Sequence, residues 1–254
     1  MKFDPLAEFW KDNFSLRRHL GTYLSVEPDC LELRLSDAQR SLKDLGETSF
    51  TWETSQEFYS ETIRDEYLYE LSAWHETSSD YIGNTLKLVR DCATELVLDF
   101  GGGIGTHTIA AAQLPHVRRV DYVDINPINR AFVAHRSREL CLSNIDIGDT
   151  PKDEKYSTIL CLDVFEHLFD PIAQLRRIFD ILSTDGILIC NWYFFKGFDG
   201  EFPFHLDDRD LVRSFLLSLQ LNFLEEFHPY TITTRCYRPH PQRIINGELH
   251  WLDP

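Results

Sequence analysis

The chain has 254 residues, of which 43% are hydrophobic and 26% charged, and its formal net charge is −16. These values predict a globular protein with a full hydrophobic core, built as one large domain or as one domain with a substantial extension. The negative charge argues against a surface that binds polyanions. We therefore expect neither nucleic acid nor an anionic membrane as a partner.

Cysteine usage and the N-terminal segment indicate the compartment. None of the six cysteines belongs to a C-x-x-C pair, and Cys161 and Cys190 lie in apolar runs, which favours reduced core thiols over disulfides. The first residues are charged throughout, unlike a signal peptide, and no apolar stretch approaches the ~18 residues of a membrane span. We expect a cytoplasmic protein. No His, Cys and carboxylate spacing matches a metal site, so no metal is expected.

Residues 1–92 have the hydrophobic spacing of helices. One run extends from Ser55 to Cys92, and a new helix is predicted to begin at about residues 78–80, where Ser and Asp can cap free N–H groups. Glu32–Leu35 alternates briefly, but no strand is predicted in this half. The sequence therefore predicts an all-helical N-terminal extension over 1–92, ahead of a second domain over 93–254.

From residue 93 onward, short apolar runs alternate with helical stretches. The predicted strands are Leu96–Phe100, Val120–Asp124, Asn144–Ile147 (the weakest), Ser157–Asp163, Gly186–Phe195, Leu221–Phe227 and Thr231–Tyr237. The predicted helices are Ile104–Gln113, Ile128–Leu140, Pro171–Leu182 and Asp207–Leu219. This alternation indicates an α/β fold with a doubly wound, Rossmann-like sheet of seven strands, the last two forming an antiparallel pair.

A glycine-rich loop, Gly101–Gly105, follows the first predicted strand and opens a helix. Glycines there let the backbone turn sharply and let a ligand approach the helix N-terminus. A tight turn without a ligand is the alternative, but four glycines in five residues favour a ligand site. The dinucleotide fingerprint fits poorly, because its third small position would fall on Thr106.

Two acidic residues near this loop favour a cationic nucleoside. Asp99 lies two residues before the first glycine, and Asp124 ends the next predicted strand. A carboxylate at Asp99 disfavours a pyrophosphate and suits a cation, and one at Asp124 can accept both ribose hydroxyls. S-adenosylmethionine carries an ammonium and a sulfonium and no phosphate, so it matches both positions.

The loop with its spaced acids resembles motif I of the class I S-adenosylmethionine-dependent methyltransferases. The segment Cys161–Pro171 is similar to the one after strand four in the branch that methylates small molecules such as quinone precursors. The resemblance covers about residues 93–237 and implies S-adenosylmethionine as cofactor. The cofactor-binding residues that it implies are Asp99, Gly101, Gly103, Gly105, Asp124, Ile125, Asp149, Thr150 and Asp163.

The resemblance also implies a role for most of these positions. Asp99 and the glycine backbone would hold the methionine end, and Asp124 the ribose. Ile125 would pack on the adenine, with Asp149 or Thr150 at its edge. Asp163 would lie near the sulfonium. An ordinary loop carboxylate is the alternative for Asp149.

The residues that would bind the methyl acceptor are less clearly indicated by the sequence than those that would bind the cofactor. His205, His75 and Tyr193 are the catalytic candidates, because methyl transfer often needs a base and the loop after the fifth strand faces the methyl end in this fold. His167 is interpreted as structural or cofactor-flanking. Aromatic residues cluster in the extension and after the fifth strand, where most belong to the core. We expect the extension to act as a lid over cofactor and acceptor.

Four functions are compatible with these sequence features. The leading hypothesis is a methyltransferase acting on a small molecule in a lid-covered pocket. A second keeps the cofactor but releases methylthioadenosine, through intramolecular cyclisation or aminopropyl or aminocarboxypropyl transfer, which the fold alone does not distinguish. A third is a non-catalytic, methyltransferase-like interaction protein, and a fourth is a protein methyltransferase, which would need an open groove. The oligomeric state is not predicted.

Overall fold

The computed structural model of the chain describes residues 5–198, 202, 204–230 and 232–254. Three parts of the predictions lie outside the described residues: positions 1–4 of the extension, Pro203 in the loop that carries His205, and Thr231 at the predicted start of the last strand.

The described part of the extension, residues 5–92, consists of helices and contains no strand, as predicted. The helices are Pro5–Asp12 (α1), Leu16–Leu24 (α2), Pro28–Ser49 (α3), Ser55–Glu57 (α4), Glu66–Thr77 (α5) and Ser79–Cys92 (α6), with a π-helical turn at Phe58–Thr62. The helix expected near residues 78–80 begins at Ser79 and buries Ile82, Leu86 and Val89 along one face. None of the described helices has the length and apolarity needed to cross a bilayer.

The second half forms a seven-stranded sheet with helices between its strands. The strands are Glu95–Phe100 (β1), Val117–Val123 (β2), Ile145–Gly148 (β3), Tyr156–Cys161 (β4), Leu182–Cys190 (β5), Phe223–Glu226 (β6) and Arg235–Pro239 (β7). The helices are Thr106–Ala112 (α7), Pro127–Glu139 (α8), Pro171–Ile181 (α9) and Arg209–Asn222 (α10). A short hairpin, Ile244–Ile245 (β8) with Glu248–Leu249 (β9), follows and was not predicted.

The strand order is β3-β2-β1-β4-β5-β7-β6. β1 to β5 pair in parallel, and β7 runs antiparallel to both β5 and β6, so the predicted fold class and the terminal antiparallel pair are confirmed. Because the chain moves outward in opposite directions from β1 and from β4, a crevice opens at the carboxyl ends of these two strands.

The fifth strand is shorter than the sequence predicts. It ends at Cys190, which pairs with Cys161 on one side and Arg235 on the other, whereas the prediction continued to Phe195. Aromatic residues favour strands, but propensity does not extend a strand beyond its pairing partners. Residues 191–198 instead form a loop above the carboxyl edge of the sheet.

The extension and the sheet share a core. Leu16, Leu20 and Leu31 of the extension pack in one buried cluster with Ile104 and Phe132 of the second half. The fully buried Arg136 of α8 reinforces this junction. Its guanidinium donates to the carbonyl oxygens of Asn13 (2.8 Å) and Ile104 (2.7 Å). The helices above the sheet edge are therefore held by burial as well as by hydrogen bonds.

Candidate active site

A cavity of about 1010 Å³ opens at the crevice above β1, β2 and β4; we call it the cofactor cavity. Its lining includes six of the nine predicted cofactor-binding residues: Gly101, Asp124, Ile125, Asp149, Thr150 and Asp163. Asp99, Gly103 and Gly105 are not part of the lining. Asp99 lies in β1, below the loop, and Gly103 and Gly105 are part of the loop itself and shape its backbone.

The glycine loop has a backbone shape that requires glycine. Gly101 has φ +71°, and its N–H donates to the Val123 carbonyl oxygen of the neighbouring strand (2.8 Å). A Cβ atom there would lie 2.5 Å from Val164 Cγ2, on the segment that follows β4. The absence of a side chain thus lets the loop lie against both neighbouring strand ends.

Asp99 supports the loop from below. Its side chain is buried, and its Oδ2 accepts a hydrogen bond from the Thr108 hydroxyl in the first turn of α7. Burial raises the pKa of this carboxyl to about 6, with the Thr108 hydrogen bond opposing the shift and the nearby Asp124 adding to it. A buried carboxylate without a cationic partner suits a position close to a positively charged ligand.

Asp124 joins the loop to the end of β2. Its Oδ2 accepts from the Gly103 N–H (2.9 Å) and the Asn129 amide (3.2 Å), and its Oδ1 accepts from the Asn126 N–H (2.7 Å). Burial raises the pKa of Asp124 to about 6, against these hydrogen bonds, which lower it. The carboxylate also lines the cofactor cavity, so it is placed to bind a ligand hydroxyl while it fixes the loop.

A second cavity, of about 370 Å³, lies between the extension and the sheet; we call it the inner cavity. Its lining includes Glu70, Leu71, Trp74 and Tyr81 from α5 and α6, and Glu166, Trp192, Tyr193 and His205 from the loops that follow β4 and β5. Four residues line both cavities: Tyr59, Tyr67, Asp163 and His167. The two cavities therefore meet at the carboxyl end of β4.

Asp163 stands at this junction in a left-handed conformation, φ +54°. Its N–H donates to Asn191 Oδ1 (2.6 Å), the Asn191 amide donates to its carboxylate (2.6 Å), and that amide also contacts the Tyr81 hydroxyl. Burial raises the pKa of Asp163 to about 6. The ends of β4 and β5 and helix α6 are thereby fixed relative to one another.

Two of the three predicted catalytic residues come together. His205 and Tyr193 both line the inner cavity, and His205 Nδ1 lies 2.8 Å from the Tyr193 carbonyl oxygen. Burial lowers the pKa of His205, so the imidazole is neutral. His75 lies apart from them. It is buried beside Trp74 and His107 and lines neither cavity, and burial lowers its pKa well below the usual range.

Sequence reasoning missed two acids of the inner cavity. Glu166 is 1% exposed, its Oε1 accepts from the Tyr193 N–H (3.0 Å), and burial raises its pKa to about 8. Glu70, on α5, has its pKa raised to about 7 by burial. Glu166 belongs to the segment Cys161–Pro171, and its position three residues after Asp163, an acid at the end of a predicted strand, was a usable signal. Glu70 carried none.

The described residues also include a group able to hold a metal ion. Glu166, His167 and His205 each offer one ligand atom, and these atoms lie within 4.8 Å of one another. The cofactor cavity, in contrast, offers carboxylates, backbone amides and an apolar side chain. That set fits the hydroxyls, the amino group and the base of a cationic nucleoside.

The chain resembles known proteins mainly across this site. Residues 57–198, more than half of the chain, match a family model described as a methyltransferase domain. The (S)-coclaurine N-methyltransferase of Thalictrum flavum subsp. glaucum is 31% identical over 118 residues, which are 44% of this chain and 33% of that protein. The match thus spans about a third of the length of that relative.

Two solved structures are similar to parts of the chain. An rRNA methylase from Streptococcus thermophilus is 16% identical, with a TM-score of 0.44 over 62% of this chain and 93% of that one. The [4+2]-cyclase SpnF is 17% identical, with a TM-score of 0.47 over 57% of this chain and 59% of that one. Neither likeness bears on the acceptor.

The match of the family model includes the glycine loop, the acid at the end of β2 and the segment after β4, which together build the cofactor cavity. The chain belongs to this methyltransferase-domain family, within the class I S-adenosylmethionine-dependent methyltransferases, for which S-adenosylmethionine is the methyl donor.

Proposed function

We propose that the enzyme methylates a small molecule held in the inner cavity. The observation that carries the proposal is the meeting of the two cavities at Tyr59, Tyr67, Asp163 and His167. Methyl transfer is an in-line displacement, in which the acceptor atom must approach the methyl group from the side opposite the sulfur. Two adjoining cavities, one for each reactant, supply that alignment.

In the cofactor cavity, we place the ribose hydroxyls at Asp124 and the adenine between Ile125 and the loop that holds Asp149 and Thr150. The methionine end lies along the Gly101 and Gly103 backbone, above Asp99. This order directs the sulfonium toward Asp163 and the inner cavity. The carboxyls of Asp99 and Asp124 are buried and that of Asp163 is partly buried, and a set of three carboxyls suits a ligand with a sulfonium and an ammonium.

The extension acts as the cover of the acceptor. Helices α5 and α6 and the π-helical turn contribute Tyr59, Tyr67, Trp74 and Tyr81 to the lining, so the acceptor is enclosed by aromatic walls. Enclosure excludes water and favours a small apolar or aromatic molecule. Within the described residues, Lys43 is the one Lys or Arg of that lining, which gives a nucleic-acid backbone little to bind. The N-methyltransferase named above adds support for a small-molecule acceptor.

The acceptor must lose a proton during or before transfer. Two groups of the inner cavity can take it: His205, through Nε2, and Glu70, whose pKa of about 7 is close to neutral pH. The methyl group passes from sulfur to the acceptor, the sulfonium becomes a neutral thioether, and the proton leaves on one of these groups. Tyr193 orients His205 through its carbonyl oxygen.

The test is incubation with methyl-labelled S-adenosylmethionine and a fractionated metabolite extract, followed by mass spectrometry of both products. We expect S-adenosylhomocysteine together with one labelled small molecule. Ser78→Phe, which fills the inner cavity from its α6 edge, should abolish labelling while cofactor binding persists. Methylthioadenosine forming without an acceptor would replace this proposal by cyclisation or aminopropyl-type transfer. Label recovered only in RNA or protein would contradict the small-molecule acceptor.

A further inference from the structure

Three side chains of the inner cavity converge from two distant parts of the sequence. Glu166 and His167 lie in the turn after β4, and His205 lies in the loop before α10. A carboxylate oxygen of Glu166 and one ring nitrogen of each histidine are all within 4.8 Å of one another. Because 38 residues separate His167 from His205 in sequence, no local spacing motif reveals the group.

Glu166 offers an oxygen with no protein partner. The side chain is 1% exposed, and Oε1 accepts from the Tyr193 N–H (3.0 Å), which fixes the carboxylate. Oε2 is buried and has no hydrogen-bond partner among the described residues. No Lys or Arg in that part of the chain forms an ion pair with it. An unpaired buried carboxylate oxygen is costly, and a bound cation removes that cost.

Both imidazoles are oriented by a second hydrogen bond. His205 Nδ1 lies 2.8 Å from the Tyr193 carbonyl oxygen; a carbonyl only accepts, so Nδ1 carries the proton and Nε2 keeps its lone pair. His167 Nδ1 lies 2.9 Å from the Tyr59 hydroxyl, and the backbone of Phe204 is a further hydrogen-bond partner of this ring. Histidines that bind a metal typically make a hydrogen bond of this kind through the ring nitrogen that does not bind the metal.

We propose that Glu166, His167 and His205 form a two-histidine, one-carboxylate site for a divalent transition metal such as Zn²⁺, Mn²⁺ or Fe²⁺. Two imidazole ligands favour these ions over Mg²⁺ and Ca²⁺, which prefer oxygen. At metal–ligand distances of about 2.1 Å, ligand atoms lie ~3.4 Å apart, so the three side chains close by about 1 Å on binding. The remaining coordination positions face the inner cavity.

The catalytic role of this metal site rests on the proposed function. An acceptor hydroxyl bound at an open position would have its pKa lowered by the metal, its proton would pass to Glu70, because His205 is then a ligand, and its oxygen would keep a lone pair for attack on the methyl group. Metal binding itself requires neither the cofactor nor an acceptor, so it can be tested separately from methyl transfer.

The experiment uses the untagged full chain, stripped with a chelator and titrated with Co²⁺ and Zn²⁺ in the absence of cofactor. We expect one Co²⁺ per chain, with visible ligand-field bands that Zn²⁺ displaces. Glu166→Gln, His167→Asn and His205→Asn should each weaken binding at least tenfold. His116→Asn, which changes an exposed histidine elsewhere, should bind as wild type does. Circular dichroism and S-adenosylmethionine titration check that each variant is folded.

Several outcomes would overturn the site. No Co²⁺ bound at 100 µM would do so, as would equal binding by wild type and the His205→Asn variant. If a ligand variant does not fold, X-ray absorption of the wild-type Zn²⁺ complex decides: two imidazoles support the site, and a spectrum without imidazole contradicts it. Stoichiometric binding that does not change methyl-transfer products would leave the metal site standing and remove only its catalytic role.

Discussion

The carboxylate of Asp124 has two tasks, because the oxygens that hold the Gly103 and Asn126 amides are also those proposed to meet the ribose. Asp124→Asn keeps the size of the side chain and one acceptor oxygen but removes the charge. We expect S-adenosylmethionine affinity to fall by about 1–3 kcal/mol, the range for hydrogen bonds to charged groups. Isothermal titration measures this, with Asp153→Asn, at an exposed position, as the control. Unchanged affinity would remove Asp124 from the ribose site.

Cofactor binding should also depend on pH. Burial raises the pKa of Asp99 and of Asp124 to about 6, and the bound cation and ribose favour their ionised forms, so the pKa of both falls on binding. Affinity is therefore full above pH 6 and falls as the pH decreases through about 6, because protons compete with the ligand. The unliganded protein shows the opposite trend. The contribution of these two carboxyls to the unfolding free energy rises as the pH falls from about 6 toward 3.8, since the neutral carboxyls are the forms that burial favours.

Titrations between pH 5 and 8 check both trends. In Asp124→Asn, the loss of affinity below pH 6 should be shallower, because one of the two titrating groups is gone. A flat profile in the wild-type protein would show that neither carboxyl contacts the cofactor in its ionised form.

A residue of the site could be predicted when the motif that identifies it is local in sequence. Gly101 and Asp124 were identified because a glycine loop and an acid at the end of the next strand recur at fixed spacing, and both line the cofactor cavity. Glu166 and His205 become neighbours only through the crossover from β4 to α10. Their grouping therefore required the fold.

Among the elements, the loop between β1 and α7 depends on glycine for two separate reasons. Gly105 has φ +77°, which strains any residue with a side chain, and a Cβ there would lie 2.7 Å from Val133 Cγ2 of α8. Gly247 has a similar φ of +82° but has nothing within 4 Å. Comparing substitutions at these two positions therefore separates the cost of backbone strain from the cost of steric overlap.

We expect Gly247→Ala to cost about 1–2 kcal/mol of unfolding free energy from the left-handed backbone alone. Gly105→Ala should cost that amount plus about 1–3 kcal/mol for overpacking against Val133. Urea unfolding of both variants gives the comparison. Equal losses would mean that α8 shifts to make room, and that the loop is less tightly packed than the structure indicates.

The boundaries of helices and strands were predictable where particular residues in the local sequence mark them. α6 begins at Ser79, within the range predicted from its Ser and Asp residues, although the Ser78 side chain makes no capping hydrogen bond, and α9 begins at Pro171, where its helix was predicted to begin. The break between the π-helical turn and α5 was not predicted, because Arg64, with φ +45°, is neither glycine nor proline. The end of β5 was missed because the length of β7 sets it.

For the whole molecule, the predicted boundary at residue 92 marks a change in sequence pattern, but it does not divide the hydrophobic core. Leu20 of the extension is fully buried in a cluster that includes Ile104 and Phe132 of the second half. The extension and the second half should therefore unfold together. Hydrophobic periodicity and composition predict a helical first half and an α/β second half. The helical face that packs on the sheet is set by tertiary contacts, which sequence periodicity does not show.

Leu20→Ala tests this cooperativity. Removing a fully buried leucine should cost about 2–5 kcal/mol, and amide hydrogen exchange should speed up by the same factor in α2 and in β4, because both exchange through global unfolding. Leu33→Ala makes the same change at a position that is 69% exposed, so its effect should stay within about 0.5 kcal/mol. Exchange that speeds up only in residues 5–49 would show that the extension opens independently. The inner cavity would then have a lid that opens without unfolding the sheet, and acceptor entry would be limited by that opening.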